Sequence, residues 1–211
     1  MWKEARMQPF VHKYGFKLLV TLMLAGMVVS VFFWINRSST LPVIKQAPNF
    51  TLNKLDGHKF NMSDSNGKVR LVEFMFTSCP DICPLTTYNM VKLQEDLKKN
   101  NQWGDQVQFL SVTFDPVKDT PEVFQQYGDR MRMDYSGWTL LTGTEAETAD
   151  VAKSFGVLVQ KMPDGQFMHT VTSLFLIDGS GNIRKIFAMG EQMDNQEILQ
   201  SIRQLTSSTS K

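Results

Sequence analysis

Residues 71–84 constrain the fold of this chain more than any other stretch. Leu71-Val72-Glu73-Phe74-Met75-Phe76 is a mostly apolar run of strand length. It breaks at Thr77-Ser78-Cys79-Pro80-Asp81-Ile82-Cys83-Pro84. Pro84 suits a first helical position, and Leu85 to Lys99 has helical apolar spacing, so a helix is predicted from Pro84 to about Asn100. The chain must therefore pass from buried strand to helix through a loop bearing Cys79 and Cys83, the only two cysteines in 211 residues. Unpaired N–H groups at a helix entrance favour thiolate over thiol. Positions i and i+4 share one face of a helical turn, so both sulfurs could grip one soft ion. The same closeness would permit a disulfide. A bridge closing so short a loop has little stabilising value, which leaves redox or metal chemistry.

A second segment sets the organisation. Leu18 to Ile35 is apolar apart from Thr21, Ser30 and Trp34 and carries no charge, about the minimum for a spanning helix. Before it, Lys3, Arg6, Lys13 and Lys17 stand against Glu4 alone; just after it the only nearby charge is Arg37. The positive-inside rule then puts the N-terminus in the cytoplasm and everything from about residue 37 outside the cell membrane. No A-x-A-like cleavage site follows the apolar run, and no cysteine offers a lipoprotein site, so the segment reads as an uncleaved single-pass anchor. The expected organisation is a cytoplasmic N-terminus over 1–17, an anchor over 18–36, a tether over 37–46, a domain over 47–205 and a flexible tail over 206–211. The whole chain carries a formal charge of +1, and its first 40 residues are strongly basic, so the outer domain is mildly acidic. Without a basic run it is no candidate for nucleic-acid binding.

Along the domain, two short strands flank Asp56-Gly57 as a hairpin. Strands are predicted at 68–76, 107–114 and 138–141. Thr120-Pro121 caps and opens a second helix. Thr144 and Glu147 form a capping box for a third, and Asp194 and Glu197 one for a last helix ending near Leu205. Val157 to Lys161, a turn at Pro163-Asp164-Gly165, and a strand from His169 to Ile177 complete the pattern, with a final strand at 183–188. Strands alternating with helices, then a hairpin and a terminal helix, describe an α/β layer architecture: a mixed central sheet flanked by helices. With cysteines between the first core strand and first helix, a thioredoxin-like fold is expected behind the one N-terminal transmembrane helix.

Histidine is scarce. His12 precedes the anchor, and His58 sits in the hairpin turn as an expected solvated residue. His169 heads an apolar strand whose beginning, in a thioredoxin-like fold, faces the cysteine-bearing helix entrance. Two thiolates and an imidazole suit copper; zinc would want a fourth ligand. Met168 is adjacent, but strand alternation points it the other way.

Phe76-Thr77-Ser78-Cys79-Pro80-Asp81-Ile82-Cys83-Pro84, the run Asp115-Pro116-Val117-Lys118-Asp119-Thr120-Pro121-Glu122, and His169-Thr170 ahead of Leu174-Phe175-Leu176-Ile177-Asp178 together resemble the Sco (SenC) copper chaperones, over about residues 45–205. The resemblance implies a thioredoxin-like fold and a role in cytochrome c oxidase assembly, with apo subunit II and its CuA centre as the acceptor of one copper ion, Cu(I) or Cu(II). It implies Cys79, Cys83 and His169 as copper ligands and Asp115 as an acidic residue near the metal; a turn residue ahead of Pro116 is the other reading of Asp115. Another copper donor or a thiol reductant is a further expected partner. The protein then reads as a metallochaperone rather than an enzyme. The alternative is a thiol-disulfide oxidoreductase that reduces the apo CuA cysteines and needs Cys79 and Cys83 but not His169. The cis-proline that true thioredoxins place before the facing strand has no counterpart here, since the last proline is Pro163. A peroxidase is disfavoured because the T-x-x-C spacing is missing at Thr77-Ser78-Cys79.

Overall fold

The computed structural model of the chain describes residues 8–35, 41–161, 167–169 and 173–209. They fall into two units, Met1–Ser39 and Thr40–Lys211. The first holds α1, Gln8–Ile35, which begins ahead of the predicted anchor. Its window Tyr14–Val31 has a mean hydropathy of 1.8 and buries none of its residues in the protein. By length and composition it can cross a bilayer. Thr21 Oγ1 donates to the carbonyls of Lys17 and Leu18 at 3.1 and 2.9 Å, so its hydroxyl is satisfied within the helix.

The second unit contains β1 (Lys45–Gln46), β2 (Thr51–Lys54), β3 (Lys59–Asn61), β4 (Val69–Met75), α2 (Ile82–Lys99), β5 (Val107–Thr113), α3 (Pro121–Met131) and β6 (Trp138–Thr142). It continues through α4 (Glu145–Ser154), β7 (Val159–Lys161), β8 (Phe167–His169), β9 (Ser173–Ile177), β10 (Asn182–Ala188), a 3-10 turn at Gly190–Gln192 and α5 (Asn195–Thr209). Eight strands form one mixed sheet in the order β1-β10-β9-β4-β5-β6-β2-β3. Every residue of β4 is buried, Arg70 and Glu73 among its apolar residues included, as befits a central strand. β4 runs parallel to β5, from Val69 opposite Val107 to Met75 opposite Thr113. β9 runs antiparallel on the other side of β4, with Leu71 opposite Leu176. The end of β4, the end of β5 and the start of β9 therefore meet at one edge of the sheet.

Aromatic rings fill both faces. Phe155, just past α4, stacks on Phe74 at 5.3 Å and Phe175 at 5.2 Å between centroids. On the other face Phe109 meets Trp103 at 4.8 Å and Trp138 at 5.2 Å. The caps form as predicted at two helices: Thr120 Oγ1 accepts from Val123 N, and Thr144 and Glu147 close a reciprocal capping box. At α5 only half the box forms. Asp194 Oδ1 accepts from the N–H groups of Gln196 and Glu197, while the Glu197 carboxylate pairs with Lys185 at 2.7 Å.

Several boundaries differ from the sequence reading. Residues 41–46, assigned to a tether, lie on the sheet: Ile44 N–H donates to Ile183 O, and the Arg184 guanidinium donates to the Leu41 carbonyl. The last helix runs on to Thr209, because Thr206 is buried and its hydroxyl accepts from Gln102 Nε2 at 3.1 Å. The single strand predicted from His169 to Ile177 is two. Among the described residues β8 pairs with β7 alone, in a separate ribbon, and β9 begins at Ser173 in the main sheet. The turn at 163–165 lies outside the described residues.

Candidate metal-binding and redox site

The cysteine loop leaves the sheet at the end of β4 and enters α2 at Ile82, two residues before the predicted start. Pro84 thus occupies the third helical position, where a missing N–H costs nothing because the first turn has no carbonyl partners for its donors. The N-cap, Asp81, makes no side-chain cap bond. A sulfur does this work instead: Cys83 N–H donates to Cys79 Sγ at 3.4 Å. A backbone donor aimed at sulfur supports negative charge there. Neither cysteine is in a disulfide, and both are buried, Cys79 9% and Cys83 1% exposed. The hydrogen bond with Cys79, and then burial, push the Cys83 thiol far above the ordinary thiol range. The pair keeps a proton at neutral pH unless a soft cation replaces it.

The parallel register of β4 and β5 sets the cysteine loop beside the loop that follows β5. Asp119 crosses between them. Its carboxylate accepts from Thr77 N–H at 3.1 and 3.2 Å, from Thr77 Oγ1 at 2.5 Å and from Thr113 Oγ1 at 2.5 Å. Burial raises the Asp119 carboxyl above its usual range while these bonds oppose the rise. Thr77 is two residues from Cys79, so Asp119 anchors the base of the cysteine loop. The sequence reading named this motif but not this role; a carboxylate four residues after a strand-end aspartate is the only signal for it.

Asp115 is fully buried in the same loop. Its backbone does the work of a turn, with the carbonyl accepting from Lys118 N and Asp119 N. Among the described residues its carboxylate oxygens accept no hydrogen bond, and Lys118 Nζ stands 3.9 Å from Oδ2. His169 ends β8 opposite Val159, and its side chain lies outside the described residues, as does that of Met168. His58 faces Asp56 in the exposed hairpin turn, Nδ1 to Oδ1 at 3.2 Å.

Glu73, also unremarked in the sequence, is buried within β4. Oε1 accepts from Ser111 Oγ at 2.5 Å, and that hydroxyl accepts from Trp138 Nε1 at 2.8 Å. Oε2 has no partner. Burial pushes the Glu73 carboxyl up to about 7, against the pull of Ser111. Its charge reaches the thiols, raising Cys83, and the phenol of Tyr127.

The SCO1/SenC family model matches residues 40–207. A SCO1/SenC family lipoprotein from Bacillus anthracis is 34% identical, with a TM-score of 0.70 over 76% of this chain and 95% of its own. BsSco, a member of the Sco family of cytochrome c oxidase assembly proteins with a disulfide switch, is 27% identical, with a TM-score of 0.69 over 79% of this chain and 96% of its own. ScoI of Arabidopsis thaliana, solved with copper bound, is 26% identical, with a TM-score of 0.63 over 75% of this chain and 98% of its own. The expected thioredoxin-like architecture is therefore the one present. With the cysteine loop, the Asp115–Asp119 loop and the sheet between them all inside the matched span, this chain belongs to the SCO1/SenC family.

Proposed function

We propose that this protein is a membrane-anchored copper metallochaperone that holds one copper ion with Cys79, Cys83 and His169 and delivers it to the CuA site of cytochrome c oxidase subunit II during assembly. The observation that carries this reading is the pair of buried, reduced thiols at the entrance of α2, Cys79 in the loop and Cys83 in the first helical turn, joined by the Cys83 N–H bond to Cys79 Sγ. Two sulfurs so disposed fit a soft cation, and copper replaces the protons that the pair is slow to lose. The copper-bound ScoI structure and the oxidase-assembly role stated for the Sco family through BsSco support the cargo and the pathway. His169 supplies the imidazole, a ligand for either oxidation state. Asp115 places a buried carboxyl group beside the cysteine loop, where a cation would meet it. α1 is the anchor, with the N-terminus cytoplasmic and the second unit outside, facing the acceptor.

A second reading uses the same pair as a thiol-disulfide oxidoreductase that reduces the apo CuA cysteines. The 3.4 Å contact from Cys83 N–H to Cys79 Sγ favours it by holding the loop cysteine against the turn that carries Cys83. The two readings divide on His169. Copper titration of the reduced chain, beside His169→Ala and Cys83→Ser, followed by thiolate-to-Cu(II) absorption and EPR, tests them. One tight equivalent with sulfur and nitrogen ligation, altered in both variants, is the chaperone result. No specific copper binding, with dithiol exchange intact in His169→Ala, refutes it.

A further inference from the structure

The turn of α2 that carries Cys83 is held by a segment more than a hundred residues later. After β10 the chain makes the 3-10 turn Gly190–Gln192, flanked by buried Met189 and Met193, and lays it against α2. Gly190 N–H donates to Thr86 Oγ1 at 2.9 Å. The same hydroxyl donates to the carbonyl of Ile82 at 2.7 Å. Asn89 Nδ2 reaches the Gly190 carbonyl at 3.5 Å, and Asn195 Nδ2 donates to the Asn89 carbonyl at 2.9 Å. Only glycine suits this position. Its φ is +70°, and a Cβ would stand 2.8 Å from Ile82 Cγ1.

The Ile82 carbonyl belongs to the peptide unit that joins Ile82 to Cys83, and the N–H of that unit is the donor to Cys79 Sγ. A continuous relay therefore runs from Gly190 N–H through the Thr86 hydroxyl and the Ile82–Cys83 peptide to the sulfur of Cys79. A peptide bonded at its oxygen is a stronger donor at its nitrogen, and one held at both ends cannot rotate away. We propose that Thr86 and Gly190 are positioning residues that aim and polarise this peptide toward Cys79, and so set the balance between the dithiol and disulfide forms of the pair. The relay stabilises the reduced form, whose sulfur accepts the bond. The Asp119 clamp holds the loop from its base, whereas this latch acts on a donor that touches the Cys79 sulfur itself.

The proposal rests on the Cys79–Cys83 site assigned above, but its test needs no copper. The full chain in detergent micelles is equilibrated with mixtures of reduced and oxidised glutathione. Two protein thiols and one glutathione disulfide give one protein disulfide and two glutathione thiols, and alkylation followed by mass spectrometry counts the two protein forms. Thr86→Val keeps the shape and removes the hydroxyl. It is expected to shift the exchange constant at least tenfold toward the disulfide, equivalent to about 30 mV. Thr86→Ser, which keeps the hydroxyl, is expected to stay within about threefold of the parent. Gly190→Ala should shift the constant the same way as Thr86→Val. If Thr86→Val and Gly190→Ala lower the melting temperature yet exchange within twofold of the parent, or if Thr86→Ser behaves like Thr86→Val, the latch merely holds the helix and the proposal is overturned. A parent chain that binds no copper but shows these shifts would defeat the chaperone reading and leave the latch standing.

Discussion

Replacing Glu73 with glutamine should change how stability depends on pH, by an amount that the structure sets. Glu73 is buried in the central strand, one oxygen bonded to Ser111 and the other unpartnered among the described residues. Burial raises its carboxyl from the ordinary 4.5 to about 7. Below about pH 4.5 the carboxyl is neutral in the folded and the unfolded chain, and its contribution is fully present. Between 4.5 and about 7 the unfolded chain ionises and the folded one does not, so folding binds a proton and stability falls as pH rises. Above 7 the buried carboxylate must ionise in place, and the contribution is lost. At 1.36 kcal/mol for each pH unit of difference, the loss is about 3 kcal/mol. Gln at 73 can still accept from Ser111, and its amide carries a fixed cost that pH does not alter. Urea unfolding of residues 40–211, the unit that holds the whole sheet and its core, at pH 5 and pH 8 measures the effect under reducing conditions. The stability of Glu73→Gln relative to the parent should rise by about 2–3 kcal/mol between those two values. A difference that stays flat within about 0.5 kcal/mol would refute the reasoning, since it would mean that the carboxyl ionises in the fold as readily as in water.

Other outcomes follow from the same contacts. Asp119→Ala strips Thr77 and Thr113 of their acceptor, leaves the Thr77 N–H without its carboxylate, and should cost about 2–4 kcal/mol in chemical unfolding while also weakening copper binding. Copper affinity, measured by competition with a chelator, should fall as pH falls, because the raised Cys83 thiol holds its proton against the metal; roughly tenfold or more should separate pH 8 from pH 6, and a flat profile would count against Cys83 as a ligand. Phe155→Ala opens a hole against Phe74 and Phe175 and should cost about 3–5 kcal/mol by thermal or urea melt, with no effect on dithiol exchange.

Much of this fold is legible in one dimension. Patterns that depend on neighbours a few residues apart appear where they are predicted: the all-buried run that becomes β4, the Thr120 and Thr144 caps, the hairpin across Gly57, and the membrane-length helix near the N-terminus. The shared helical turn expected for the cysteine pair does not form, because α2 begins only at Ile82 and leaves Cys79 in the loop before it. The start of α2 was misplaced by two residues because a proline is tolerated anywhere in the first turn, and sequence alone does not say which position it takes. The break between β8 and β9 was invisible for a different reason. An apolar run does not reveal that His169 pairs with Val159 while Phe175 to Ile177 pair with β4.

The sequence by itself determined which residues can do chemistry here: two thiols at a strand-to-helix junction, with the family motifs around them. Tertiary structure alone decided how those thiols are held. Asp119 reaches Thr77 because two parallel strands end side by side, a fact of register between segments 38 residues apart in the chain. Glu73 meets Ser111, and Ser111 meets Trp138, because three neighbouring parallel strands pair in a register that puts these side chains on one face of the sheet. Gly190 reaches Thr86 because β10 delivers the chain back to the first turns of α2. Each of these contacts is set by sheet order and helix placement, which are decided by burial summed over the whole core rather than by any local pattern.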